Sequence, residues 1–214
     1  HELRRRLGDE PFYASLREYV AAHAGGSVET VDLARAVERT TGRNIDRFFD
    51  EYVLRAGHPQ LQISARFDAG RKAVRISVKQ TTDGEPYALT LPVQIVIGAQ
   101  SSTHELAISQ KEQTFSLDAA REPSQVLIDA HRDLLAALEV DKPLGWWRHE
   151  LLNASIARAR TEAAAALSKD TSSASVQALA KVLKGESVFW GTRAACAKAL
   201  GQLRTPGARA ALLA

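Results

Sequence analysis

The sequence predicts an α+β multidomain chain: a short α-helical segment, an antiparallel β-sandwich, then an α-solenoid of helical repeats. Three observations carry this expectation. The apolar period changes from 3.6 to 2 across Gly57-His58-Pro59. From Leu61 to Ile128, short apolar runs are separated by turns bearing Gly and Asp. Beyond Asp141-Lys142-Pro143-Leu144 the composition shifts to Ala and Leu. There Arg160-Thr161-Glu162-Ala163-Ala164-Ala165-Ala166-Leu167 falls on Arg193-Ala194-Ala195-Cys196-Ala197-Lys198-Ala199-Leu200, an internal repeat. The expected parts are residues 1–57, 58–130 and 131–214.

The first part reads as three helices. One carries Leu3 and Leu7 and is extended or restarted at Asp9-Glu10-Pro11 with Phe12, Leu16, Tyr19 and Val20; the next runs from Thr30 through Leu33 and Val37. In the third, Ile45, Phe48, Phe49 and Tyr52 stand at i, i+3, i+4 and i+7 and share one face. Asp9, Thr30 and Asn44 are the expected N-caps, with Gly25-Gly26 and Gly42 as stops. Gly57 can take the left-handed backbone that ends a helix, and Pro59 forbids its continuation. His58, between them, is expected to fix the corner with its side chain. Each buried large apolar side chain contributes roughly 1.5 to 3 kcal/mol, so three short helices barely offset their ordering entropy. Leu3, Leu7, Phe12, Leu16, Tyr19, Val20 and part of the Phe48-Phe49-Tyr52 face are therefore expected to need a further partner.

The second part reads as six strands: 61–67, 74–78, 87–97, 104–108, 114–117 and 126–128. Asp68-Ala69-Gly70-Arg71-Lys72 and Thr82-Asp83-Gly84-Glu85 carry the residues that tight turns require. Pro92 inside a strand indicates an edge or a bulge. In the third part, Trp146 and Trp147 are adjacent on one helix and point to different faces, so one can seal the sandwich against the helices. The Ala-rich repeat indicates helices that approach closely and bury each unit on its neighbour.

The 214 residues have an ordinary apolar fraction, a formal net charge of +3 and a single Cys. One Cys excludes an internal disulfide, and Cys196 among alanines reads as a small buried apolar residue. No apolar run approaches the roughly 18 residues of a membrane span, and Arg4-Arg5-Arg6 reads as a solvated helix face rather than a nucleic-acid footprint. His1-Glu2 invites comparison with His-Glu-x-x-His, but position 5 is Arg, so the second zinc ligand is absent. His23, His58, His104, His131 and His149 lack metal-ligand spacing. Glu10, Glu29, Glu38, Asp50 and Glu51 read as helix-start or exposed charges. No nucleophile elbow, phosphate loop or paired Cys occurs. The residues therefore assign no catalytic, metal or cofactor site.

Ser27-Val28-Glu29-Thr30-Val31-Asp32-Leu33, Glu38 to Gly42 and the run from Arg43 through Gly57-His58-Pro59 to Ile63 together resemble zinc aminopeptidases of the aminopeptidase N (gluzincin) family. They are similar to the end of its catalytic domain and the start of the next. Tyr52 stands where that family usually has Trp. Ile76-Ser77-Val78-Lys79-Gln80 and Leu91-Pro92-Val93 resemble phrases of its β-sandwich, and Trp190-Gly191-Thr192-Arg193-Ala194-Ala195 resembles the second helix of a HEAT repeat. The resemblance implies the C-terminal part of a zinc metallopeptidase, a hydrolase acting on peptides. Residues 1–57 would end a thermolysin-like catalytic domain, 58–130 would be the sandwich, and 131–214 truncated HEAT-like repeats. It also implies that the zinc, its ligands and the general base lie upstream, so the fragment alone is expected to be inactive and to hold no cofactor. The implied partners are the remainder of its own catalytic domain and, in the parent, a peptide substrate; no nucleic acid or membrane partner is implied. Once that remainder is missing, either self-association through residues 1–55 or mobility of these helices is expected. The same architecture fits a non-catalytic aminopeptidase-like protein that serves as an interaction scaffold, and the compartment is left open.

Overall fold

The computed structural model describes residues 1–213. The N-terminal helices are α1 (Glu2–Leu7), α2 (Asp9–His23), α3 (Thr30–Thr41) and α4 (Asp46–Phe49), the last continuing as a π-helical turn over Asp50–Leu54. Gly8, at φ 85°, divides α1 from α2, so the helix restarts rather than extends. The N-cap of α3 is Glu29, one residue before the expected Thr30. Glu29 and Asp32 form a reciprocal carboxylate box, each side chain accepting the other residue's backbone N–H. Such a box satisfies two orphan donors where one threonine would satisfy a single donor. Asn44 is likewise displaced by one residue: Ile45 holds the N-cap position, and Asn44 Oδ1 accepts the Asp46 N–H at 3.1 Å.

These helices have a core of their own. Leu3, Leu7, Ala34, Val37, Ile45, Phe48 and Phe49 are buried together, with Phe12, Leu33 and Tyr52 at its margin. Much of the surface expected to lie uncovered is thus buried within the chain. Tyr13, Val20, Val28, Val31, Val53 and Leu54 remain exposed. The corner also differs in detail. The π turn ends at Arg55, and Gly57 takes its positive φ of 96° in the extended link beyond. His58 is exposed and contributes only its carbonyl, which accepts from Thr82 Oγ1 at 3.3 Å.

Seven strands follow: β1 (Gln60–Asp68), β2 (Ala73–Gln80), β3 (Leu89–Ile97), β4 (Gln100–Ile108), β5 (Glu112–Asp118), β6 (Gln125–Ile128) and β7 (Ala137–Asp141). They form two sheets, in the orders β5-β2-β1-β7 and β4-β3-β6. Leu61, Ile63 and Ala65 of β1 alternate inward as expected and share one core with Leu91, Val93 and Ile95 of β3. β7 was not expected. It pairs parallel to β1, with Leu61 opposite Leu138 and Ile63 opposite Val140, so the sheet runs past residue 130 into the stretch read as helical. Its five residues carry two half-buried apolar side chains, too short a pattern to stand out. Pro92 lies in the central strand of its sheet, not at an edge. It is tolerated because its C=O, and hence its missing N–H, faces the side where β6 has already ended, and the Asp129 N–H meets that carbonyl at 2.9 Å.

The C-terminal helices are α5 (Leu144–Asn153), α6 (Ala157–Ala166), α7 (Ser173–Leu183), α8 (Trp190–Leu203) and α9 (Pro206–Leu213). α5 packs on α6 and α7, α6 and α7 pack on α8, and α9 closes against α7 and α8. The repeated positions behave alike. Ala163 and Cys196 are fully buried, as are Leu167 and Leu200. Arg160 Nε donates to the Leu151 carbonyl at 2.8 Å, and Arg193 Nε to the Leu183 carbonyl at 3.0 Å, so each ties its helix to the end of an earlier one.

Candidate functional site

Buried charge and aromatic rings meet in two places, one at each junction of the sheets with helices. At the N-terminal junction, Phe48 and Tyr52 stack with centroids 5.1 Å apart, and Arg6 lies over both rings at 5.2 and 5.1 Å. Arg6 also donates to the Ala88 carbonyl, and Arg5 to that of Thr90, so α1 is pinned to the start of β3. Glu51 Oε1 accepts from Arg47 Nε at 2.8 Å and from the Ala88 N–H at 3.0 Å. Burial, aided by Glu2 and opposed by Arg6, pushes the Tyr52 phenol up to about 12. Tyr87 continues the aromatic run, edge-on to Tyr52 at 5.6 Å and covered by Arg55 at 4.2 Å. Position 5, where a zinc motif would need His, therefore holds a cation used for docking.

The second junction is drier. Lys142 and Glu150 form an ion pair whose side chains are 1% and 4% exposed. Lys142 Nζ also donates to the Val126 carbonyl of β6 at 2.7 Å and stands 3.7 Å from the Trp147 ring centre. Burial pushes the Glu150 carboxyl up to about 7, against the attraction of Lys142. Burial likewise lowers Lys142, against the attraction of Glu150. A second tie lies alongside: Arg132 Nη2 meets Glu162 of α6 at 2.7 Å. Trp146 is 3% exposed in the core between the sheets, and Trp147 is 8% exposed in the core of the C-terminal helices. Adjacent residues of α5 thus enter two different cores.

Among the described residues, no three His, Cys, Asp or Glu side chains converge to hold a metal. The residues present do not fit the zinc that the family resemblance implies. His1, His58 and His131 are exposed, His23 lies against Tyr19, and His104 Nε2 pairs with Ser102 Oγ at 3.0 Å. Among the described residues, no helix is long and apolar enough to cross a membrane.

No protein-family model matches the chain. A stretch of 58 residues is 31% identical to Tricorn protease-interacting factor F2 of Thermoplasma volcanium, covering 27% of this chain and 7% of that protein. The structure is similar to aminopeptidase A of Legionella pneumophila, crystallised with aspartic acid, at a TM-score of 0.72 and 15% identity. The match takes in 95% of this chain and 25% of that one. The likeness is one of fold. The chain spans about a quarter of the aminopeptidase chain that it matches, with two largely antiparallel sheets set among helices.

Sequence reasoning missed Lys142 and Glu150 because Asp141-Lys142-Pro143 has the composition of a linker. The available signal was a Lys and a Glu flanking Trp146-Trp147, a pair of rings too large to leave both partners in water.

Proposed function

We propose that the chain is the C-terminal, non-catalytic part of a zinc-dependent aminopeptidase of the aminopeptidase N (gluzincin) kind, which removes N-terminal residues from peptides. In this reading residues 1–57 are the helical end of the thermolysin-like catalytic domain. Residues 58–130, with β7 added, are a β-sandwich spacer. The helices beyond are HEAT-like repeats that cover the active site and limit access to it. The observation that carries the reading is the fold likeness to an aminopeptidase over 95% of the chain. The corner from Arg43 to Ile63 bears the sequence resemblance to the family. The zinc, its ligands and the general base are assigned upstream, together with the rest of the catalytic domain as the natural neighbour of residues 1–55.

A second reading, a non-catalytic aminopeptidase-like scaffold, is favoured by one feature: Phe189 and Trp190 are 53% and 74% exposed at the start of α8. Exposed rings of that size suit a protein contact. The test is hydrolysis of aminoacyl substrates by the complete gene product and by the 214-residue chain, with zinc measured in both. Activity and one zinc in the complete product, with neither in the chain, is the expected outcome. Neither in the complete product would leave the scaffold reading; a tightly held zinc in the chain alone would overturn both.

A further inference from the structure

The seam between the sheets and the C-terminal helices is held by contacts of two kinds, and only one kind has direction. The first is apolar. Trp146 and Trp147 both stand in the first turn of α5, one in each core, so they pin the helix at a point and leave its tilt about that point open. Beside them Leu127 of β6 meets Ala154 and Ala159, with Ala130 and Ile156 at the margin. Methyl groups present low ridges and shallow grooves, which fix poorly how one surface sits on another.

The second kind is charged. Lys142 Nζ is bound on three sides, by the Val126 carbonyl at 2.7 Å, by the Glu150 carboxylate and by the face of the Trp147 ring, which uses every direction in which an ammonium donates. Glu150 stands one turn beyond Trp146, so the pair joins the β6 backbone to α5 at a second point, away from the rings. A second point fixes a tilt that one point cannot. A buried ion pair adds little or no stability over an apolar pair of the same volume, so what this one contributes is direction. We propose that the Lys142 and Glu150 pair sets the angle at which the C-terminal helices stand on the sheets, as a directional clamp and not as a source of stability. The neighbouring tie from Arg132 to Glu162, whose side chains are 27% and 30% exposed, is wet enough for water to replace it and is secondary to the clamp. The inference concerns this chain's own seam and is independent of the peptidase reading.

Distances between two spin labels, read by pulsed electron paramagnetic resonance, test it. Labels at Ser116→Cys on β5 and Lys181→Cys on α7 sit at exposed positions, and Cys196→Ala removes the native thiol. This labelled chain is expected to give one narrow distance distribution. With Lys142→Met and Glu150→Leu added, it is expected to unfold in urea at a midpoint no lower than before, while the distribution broadens about twofold or divides into separate populations. Arg132→Ala alone is expected to leave the distribution narrow. Three results would each overturn the proposal. A double variant with an unaltered distribution would assign the angle to the rings. One that unfolds more readily or fails to fold would make the pair a source of stability after all. An Arg132→Ala distribution as broad as the double variant's would assign the angle to the wetter tie.

Discussion

Replacing Lys142 and Glu150, singly and together, separates what burial costs from what pairing returns. Both side chains are almost fully withdrawn from water, so removing one leaves the other as a buried, uncompensated charge, at a cost of about 3 to 5 kcal/mol. The double substitution Lys142→Met with Glu150→Leu keeps the volume and removes both charges, and such swaps are neutral or stabilising by up to about 4 kcal/mol. Protonation adds a signature. The Glu150 carboxyl is pushed up to about 7 from an ordinary 4.5, and a raised folded value means stability fully present below the ordinary value and lost as pH rises through the folded one. At about 1.4 kcal/mol per tenfold change in proton affinity, the loss is on the order of 3 to 4 kcal/mol. Lys142 is shifted the other way, so its contribution is present above the ordinary 10.5 and lost as pH falls through its lowered folded value.

Lys142→Met is expected to be mildest near about pH 5, where the carboxyl takes up a proton, and more damaging as pH rises, because without the lysine burial makes ionisation of Glu150 still less favourable. Glu150→Leu should show the reverse, easing as the lysine loses its proton in alkali. Urea unfolding followed by tryptophan fluorescence reports on this directly, because Trp146 and Trp147 lie between the two residues in sequence and Lys142 stands over the Trp147 ring. A double variant as unstable as either single one, or a defect in Lys142→Met that is flat with pH, would refute the argument.

Two further outcomes follow from burial. The Cys196 thiol is fully buried and pushed up to about 11 by desolvation, so thiol reagents at neutral pH are expected to modify it only as the C-terminal helices open; rapid labelling of the native chain would contradict this. Trp146→Ala and Trp147→Ala should each cost about 3 to 5 kcal/mol, with hydrogen exchange rising first in the sheets for Trp146→Ala and first in α6 to α8 for Trp147→Ala, a division that uniform exchange would rule out.

Much of this was legible where a pattern repeats. Six strands emerged because inward residues such as Leu61, Ile63 and Ala65 alternate over several turns of pleat, and helices α6 and α8 because Arg160 and Arg193 head matching alanine runs. Features resting on a single pairing were not. β7 exists because β1 offers a free edge to Leu138 and Val140, a fact about a distant strand. Pro92 could enter a central strand only because β6 stops at Ile128. The core of residues 1–54 depends on Val37 and Phe49 meeting Leu3 and Leu7 across long separations, which no local period encodes. The Lys142 and Glu150 pair was hidden for the same reason: local composition describes solvent exposure on average, and this linker is the place where two cores meet.

The two junctions differ in how firmly they hold. α5 cannot rotate without withdrawing Trp146 from one core or Trp147 from the other, and Lys142 fixes its start to β6 while Arg132 fixes α6. Movement there would expose two large rings and a buried ion pair at once, a cost of several kcal/mol that leaves the sheets and C-terminal helices acting as one body. The N-terminal junction buries Phe48 and Tyr87, but its polar ties are arginines that donate to carbonyls near its surface, through Arg6 and Arg55 above all. Hydration can replace those bonds at little cost. Local opening is therefore expected to begin at the corner after Leu54, where the chain leaves a π turn for a strand through Gly57, before the seam at Trp146 and Trp147 gives way.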